Sequence, residues 1–317
     1  MGDLVHSLSA IQEAVQARGG FQLDWVCEEA FADIPKLAPC IDRIIPVAIR
    51  RWRKSLFASA TRAQIKRFKQ ILQDREYDVV IDAQGLLKTA WITRLARCKN
   101  ANRWGYDWDS AREPWASFVV KHKVNAPAGM HAIERLRVLF GAALGYEPRG
   151  AVTPSLPKAG VGAVAISRKI MFLHATSRVE KSWPIEHWIA LGRTLTAEGY
   201  QILLPWGTEQ EREQAEKIAQ GIGRQNAQVL PKLTIAELAE KLQHCAGAIG
   251  VDTGLMHLSV ALSCPTVAVM SASHLPKFSA DRFAPNWASH ARVVRRALYD
   301  EQAILPAEVL SAWKELF

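Results

Sequence analysis

Short runs of β-branched and apolar residues alternate with helical patterns along the whole chain, and this alternation restricts the fold more than any other feature. Strand patterns fall at 22–27, 43–47, 78–81, 169–173, 201–204, 246–251 and 266–270. Between them, apolar residues recur at helical spacing over 61–73, 132–144, 184–198, 209–221 and 235–242. Strands that alternate with helices in this way predict an α/β architecture with parallel sheets. The Pro- and Gly-rich stretch 148–162 predicts a linker. The chain then divides into an N-terminal domain, 1–155, and a C-terminal domain, 156–305, both Rossmann-like and doubly wound, facing a cleft. The last helix, 306–317, is open to packing on either half. A βα unit needs its strand, yet the chain opens at Met1-Gly2-Asp3 with a helix soon after. A strand and its turn are therefore expected upstream of Met1.

Length and composition agree with two full cores. The chain has 317 residues, 49% of them hydrophobic, enough for roughly two domains of ordinary size. No apolar run approaches the ~18 residues of a membrane-spanning helix, and the start does not read as a signal peptide. Five cysteines, Cys27, Cys40, Cys98, Cys245 and Cys264, stand far apart without a CxxC pair. That usage fits buried thiols in a reducing, cytoplasmic setting. Charge is unevenly spread: residues 1–150 carry 23 Lys+Arg against 16 Asp+Glu, a net +7, and residues 151–317 carry 17 against 15, a net +2. A basic first half suits an anionic partner, which charge alone leaves open among nucleic acid, a phospholipid surface and an acidic substrate. A solvated basic face is the plainer account of the same numbers.

Three turns at carboxyl ends of predicted strands carry the chemistry. Val251-Asp252-Thr253-Gly254-Leu255-Met256-His257 leads a strand into a helix. Free amides at a new helix N-terminus form an anion site. Gly254 lets a phosphate approach the backbone, Thr253 offers a hydroxyl, and His257 follows one turn later. The competing account makes Asp252 or Thr253 a simple helix cap. His174-Ala175-Thr176-Ser177-Arg178-Val179-Glu180-Lys181 leaves another strand with two hydroxyls and two cations, a set suited to a diphosphate or to plain solvation. Leu204-Pro205-Trp206-Gly207-Thr208-Glu209-Gln210-Glu211 offers carboxylates for a ribose diol, or ordinary acids at a helix start. Neither GxGxxG nor GxxxxGK[ST] occurs, which disfavours a dehydrogenase and a P-loop kinase.

The first half contributes Asp82-Ala83-Gln84-Gly85-Leu86-Leu87-Lys88, the cluster Arg50-Arg51-Trp52-Arg53-Lys54, and Gly105-Tyr106-Asp107-Trp108-Asp109-Ser110-Ala111-Arg112. Arginine forks suit carboxylates and phosphates. Trp52 and Trp108 are candidates for stacking on a sugar or for a membrane surface. Asp107 and Asp109 form a DxD pair, read as a loop feature because it lies in the half without the phosphate-binding turns; no metal or other cofactor is expected.

Together, Met-Gly-Asp, Arg-Arg-Trp-Arg-Lys, Asp-Ala-Gln-Gly, Ala-Arg-Glu-Pro, Lys-x-Trp-Pro, Pro-Trp-Gly and Asp-Thr-Gly-x-x-His resemble the ADP-heptose:lipopolysaccharide heptosyltransferases, glycosyltransferase family 9, over nearly the whole chain. The Arg-rich run and Ala-Arg-Glu-Pro are closest to the branch that adds the first heptose. The resemblance implies a GT-B fold and inverting, metal-independent transfer of L-glycero-D-manno-heptose from ADP-heptose to Kdo of Kdo-lipid A, on the cytoplasmic face of the inner membrane. It implies peripheral membrane contact and no nucleic-acid partner. It makes Asp3 the general base. The donor residues it implies are Thr176, Ser177, Lys181, Glu211, Leu233, Asp252, Thr253, Gly254 and His257. On the acceptor side it implies Arg50, Arg51, Arg53, Lys54, Lys88 and Arg112. Closure of the two domains would then bring donor and acceptor together. Three departures from the family pattern stand out: no strand precedes Met-Gly-Asp, Ser177 stands where Thr is common, and Met270-Ser271-Ala272-Ser273-His274 replaces a turn with Tyr-Gly. Rival readings are the branch acting on the first core heptose, and a non-catalytic binder of anionic glycolipid or nucleic acid.

Overall fold

The structure is a computed structural model that describes residues 1–152, 156, 167–176, 178–270, 283–295 and 303–317. It divides into two compact units, His6–Gly150 and Met1–Val5 with Ala151–Phe317. The long helix α1 (Gly2–Arg18) contributes its first turn to one unit and the remainder to the other.

The His6–Gly150 unit continues through β1 (Asp24–Glu28), α2 (Asp33–Lys36), β2 (Arg43–Val47), α3 (Ile49–Trp52), α4 (Ser59–Gln73), β3 (Glu76–Tyr77), β4 (Val80–Ile81), α5 (Leu87–Leu95), β5 (Arg97–Cys98), β6 (Arg103–Tyr106), β7 (His122–Val124) and α6 (Ala132–Leu144). Its strands pair in parallel, but in three separate ladders: β1-β2, β3-β5 and β4-β6-β7. The predicted strand 78–81 is interrupted, with Asp78 and Val79 between β3 and β4. Helix α4 shows why the elements form where they do. Thr61, Phe68 and Leu72 are buried on one side, while Arg62, Lys66 and Arg67 face water. Helix α6 buries Leu136, Leu139, Phe140 and Ala143 and stops at Gly145, whose φ of 72° supplies the left-handed cap. Polar ties replace missing sheet continuity. Arg43 donates to Asp24 at 2.8 Å and to both oxygens of Asp74 at 2.8 and 3.0 Å. Buried Arg137 holds Glu13 at 2.7 and 2.8 Å.

Among the described residues, the strands of the second unit form one sheet. It runs through β8 (Ser167–Leu173), α7 (Ile185–Ala197), β9 (Gln201–Leu204), α8 (Glu209–Ile222), β10 (Ala227–Val229), α9 (Ile235–Gln243), β11 (Cys245–Val251), α10 (Gly254–Ala261), β12 (Thr266–Met270), β13 (Ala291–Arg295) and α11 (Pro306–Lys314). Six parallel strands lie in the order β10-β9-β8-β11-β12-β13. The chain starts at the middle strand, winds outward, then returns to β11 beside β8 and winds the other way. Strands β11 and β12 are buried almost throughout, as a sheet covered on both faces requires. Helices α7 and α8 approach closely, since a Cβ on Gly192 would stand 2.2 Å from Ile222 Cδ1. Helix α11 packs on this sheet: Trp313 is buried, and its ring would lie 2.6 Å from a Cβ on Gly247.

Candidate active site

A doubly wound sheet has one place where neighbouring strands lead their following loops apart, and ligands bind there, beyond the carboxyl ends. In the six-stranded sheet that place is between β8 and β11. The loop after β8 carries Thr176 and Lys181, and the turn after β11 carries Asp252, Thr253 and Gly254. Topology therefore joins residues about seventy positions apart in sequence: the Lys181 ammonium bonds Asp252 Oδ2, |i−j| = 71. His257, one turn into α10, donates from Nε2 to Asp252 Oδ1 at 3.3 Å. Burial opposes ionisation of Asp252. The hydrogen bond and charge of His257, with the charge of Lys181, outweigh it and hold the carboxyl well below the usual carboxylate range.

The capping account of this turn does not hold. Thr253 occupies the N-cap with φ −137° and ψ 159°, but its side chain makes no capping hydrogen bond. The Asp252 oxygens are turned to Lys181 and His257 instead. The first turn of α10 thus takes no cap from the Thr253 side chain and lies beside a cation. Gly254 is sterically required: a Cβ there would lie 2.6 Å from Met1 Cβ. The start of α1 lies close by, because a Cβ on Gly2 would stand 3.2 Å from His257 Cδ2. Asp3 follows in the first turn of α1, within the helix rather than ahead of it.

The remaining donor candidates divide. Thr176 is half-buried, and its Oγ1 accepts from Arg178 N at 3.5 Å. Ser177 and residues 271–274 lie outside the described residues. Glu211 forms a capping box with Thr208, its Oε2 accepting from Gly207 N at 2.7 Å and Thr208 N at 3.1 Å. That engages one carboxylate oxygen in helix capping. Leu233 is half-buried in the loop between β10 and α9. Two neighbours in the singled-out segments were given no role by the sequence. His174 is buried and bridges from Nε2 to the Glu211 carbonyl at 3.2 Å; burial pushes its imidazole down, toward the neutral form. Trp206 lies between Arg212 and Lys232, whose charged groups stand 5.8 and 5.9 Å from its ring. The sequence signal for Trp206 was its place in Pro-Trp-Gly, just past the end of β9.

In the His6–Gly150 unit, the Arg-rich run forms α3 and its exit. Arg51 is engaged bidentately by Glu29 at 2.9 and 3.0 Å. The Arg50 guanidinium lies 5.3 Å from the Phe31 ring. Arg53 and Lys54 are exposed, as are Lys88 on α5 and Arg112. Trp52 corrects the sequence reading: it is buried, packs 5.8 Å from Phe68 and donates to Gln64 at 2.9 Å, so neither sugar nor membrane meets its ring. Asp107 organises a turn, accepting from Ser110 N at 2.9 Å and Asn125 Nδ2 at 2.8 Å. Among the described residues, no group of three His, Cys, Asp or Glu is placed to hold a metal ion. No described helix is long and apolar enough to cross a membrane.

Comparison with known proteins joins these observations. The family model for glycosyltransferase family 9 (heptosyltransferase) matches residues 65–304. Lipopolysaccharide heptosyltransferase 1 of Pseudomonas aeruginosa is 41% identical over 285 residues, covering 86% of this chain and 77% of the relative. The solved E. coli heptosyltransferase WaaC with ADP superposes with a TM-score of 0.87 at 37% identity, covering 100% of this chain and 97% of that one. Lipopolysaccharide heptosyltransferase 2 of E. coli K12 matches more weakly, at 29% identity over 36% of this chain. The expected α/β, GT-B class stands, and a non-catalytic binder is set aside. With the family model spanning most of the chain and relatives above 40% identity, the chain belongs to glycosyltransferase family 9, the heptosyltransferases.

Proposed function

We propose that this chain transfers L-glycero-D-manno-heptose from ADP-heptose to Kdo of Kdo-lipid A, with inversion and without a metal, at the cytoplasmic face of the inner membrane. The observation that carries this reading is the meeting of Lys181, Asp252, His257 and the α10 N-terminus beyond β8 and β11. In this reading the donor diphosphate lies on the α10 amides and Lys181. Asp252 keeps Lys181 and His257 in place. The acceptor oxygen attacks the anomeric carbon and loses its proton to Asp3. The bond from that carbon to the phosphate oxygen breaks, and its electron pair leaves with ADP. Fixed donors at the diphosphate stabilise the charge that develops there, the kind of term whose removal costs about 10²–10³ in rate. Arg50, Arg51, Arg53, Lys54, Lys88 and Arg112 serve the anionic acceptor, in keeping with the net +7 of residues 1–150. Thr176, Ser177, Glu211, Leu233, Thr253 and Gly254 complete the donor side.

The test is ADP release from ADP-heptose with Kdo-lipid A, with the same lipid already carrying one heptose, and with no acceptor. Release only with Kdo-lipid A is expected, and it survives EDTA. Preference for the heptose-bearing acceptor moves the chain to the second transfer. Loss on chelation, restored by magnesium or manganese, defeats the metal-free step.

A further inference from the structure

The 3-10 helix Pro114–Val119 buries Ala116 and Ser117 and turns its large residues outward. Trp115 and Phe118 are each 65% exposed, and Trp108 from the preceding loop is 43% exposed. The three rings pack on one another, with centroids 5.4, 5.7 and 5.7 Å apart. Lys123 extends over Phe118, its ammonium 5.5 Å from the ring centroid. The platform is fastened to α5, since Glu113 accepts from Leu87 N at 2.5 Å and donates from its own N to Gly85 O at 2.9 Å. Leu87 and Trp91, one turn apart on α5, are exposed as well.

Three large rings held together on a rigid base, in water, lose the burial that such rings normally gain. Along the segment that carries them the charge is one-sided, even with Lys99 paired to Asp78. Residues 87–123 carry eight Lys+Arg against three Asp+Glu, a net +5. Two of those three acids are engaged locally: Asp107 by Ser110 and Asn125, and Glu113 by Leu87. Aromatic rings with a polar edge settle at the headgroup level of a bilayer, and surrounding Lys and Arg are drawn to anionic lipid. We infer that Trp108, Trp115 and Phe118, with Lys121 and Lys123, form the surface by which this chain docks on an anionic phospholipid bilayer. The inference rests on the reading that the acceptor is a membrane lipid, and it assigns the contact to named residues.

Co-sedimentation with vesicles of phosphatidylcholine and phosphatidylglycerol, against phosphatidylcholine alone, tests it. The wild type binds the anionic vesicles, and the double variant Trp115→Ser/Phe118→Ser loses about tenfold or more of that binding. Lys121→Glu/Lys123→Glu, which keeps all three rings, also weakens it. Circular dichroism and melting temperature show that each variant is folded. Equal binding by wild type and the ring variant overturns the inference, as does a wild type that ignores anionic vesicles. Loss of binding only in a Leu56→Ser/Phe57→Ser control moves the contact elsewhere and overturns it too. Light scattering that finds a dimer broken by the ring substitutions makes the patch an interface between copies instead. ADP release with detergent-dispersed Kdo-lipid A is read in parallel. It stays unchanged in the ring variant, and its absence from the wild type refutes the proposed reaction without touching the vesicle result.

Discussion

The two α/β units use the same parts to different ends. In the Ala151–Phe317 unit, strands of three to seven residues form one six-stranded sheet. Its carboxylate, histidine and lysine meet at the single place where the winding reverses. In the His6–Gly150 unit, strands of two to five residues are divided among three ladders. Arg43 and Arg137 there do by ion pairing what sheet continuity does in the other unit. Among the described residues, the exposed large hydrophobics lie in this unit apart from Leu305 and Phe317. One unit is arranged around an interior geometry and the other around its surface. A phosphate needs fixed dipoles at a fixed distance, whereas a large anionic partner needs area and charge.

The largest expected effect tests which unit Asp3 serves. Asp3→Asn keeps the size and some of the helix-start character of the residue but removes the base. We expect kcat to fall by roughly 10²–10⁴ while calorimetric affinity for ADP-heptose holds. A loss of donor affinity as large as the loss of rate makes Asp3 part of the binding site instead. The next tests the continuous sheet. Trp313→Ala empties a fully buried site against Gly247 and should cost about 3–5 kcal/mol in denaturant unfolding. A much smaller loss would mean that α11 is only loosely fastened to the sheet.

A smaller effect belongs to the surface of the other unit. Arg53→Ala/Lys54→Ala should raise the acceptor KM about tenfold, one charged contact's worth, with donor affinity and melting temperature unchanged. Arg51→Ala should also lower the melting temperature slightly, because Arg51 holds Glu29. If all three behave alike, the pairing to Glu29 has no structural part. The smallest effect is in pH. His174 is held toward its neutral form by burial, so the unfolded chain takes up that proton first. Stability is then full above about pH 6.5 and declines as pH falls below it, by at most about 1.4 kcal/mol per pH unit. His174→Asn should flatten the fall in melting temperature between pH 7 and 5.

Much of this was legible from residues alone, and unevenly so between the units. Strands β2, β9 and β12 and helix α6 fall where the sequence put them, because β9 and β12 are short apolar runs buried nearly throughout and α6 buries one side. The short strands β5 to β7 carry too few residues for a period to show, and Trp104, Arg103 and His122 within them look like loop chemistry. Trp52 was misread because its flanking arginines advertise a surface while its own ring turns inward. At the turn after β11, residue types and their place after a strand were enough to single out Asp252, Thr253, Gly254 and His257 as candidates. That Asp252 is shared by Lys181 and His257, and so is not a cap, depends on β8 lying beside β11. No local pattern encodes that adjacency.

The depressed carboxyl of Asp252 has a consequence for kinetics. A carboxylate held well below the usual range by Lys181 and His257 is charged at neutral pH, so it acts there as fixed wiring. An acid limb in the rate profile must then report a different group. Asp3→Asn should remove that limb if Asp3 is the base, leaving the ionised Asp252 between Lys181 and His257 as it was.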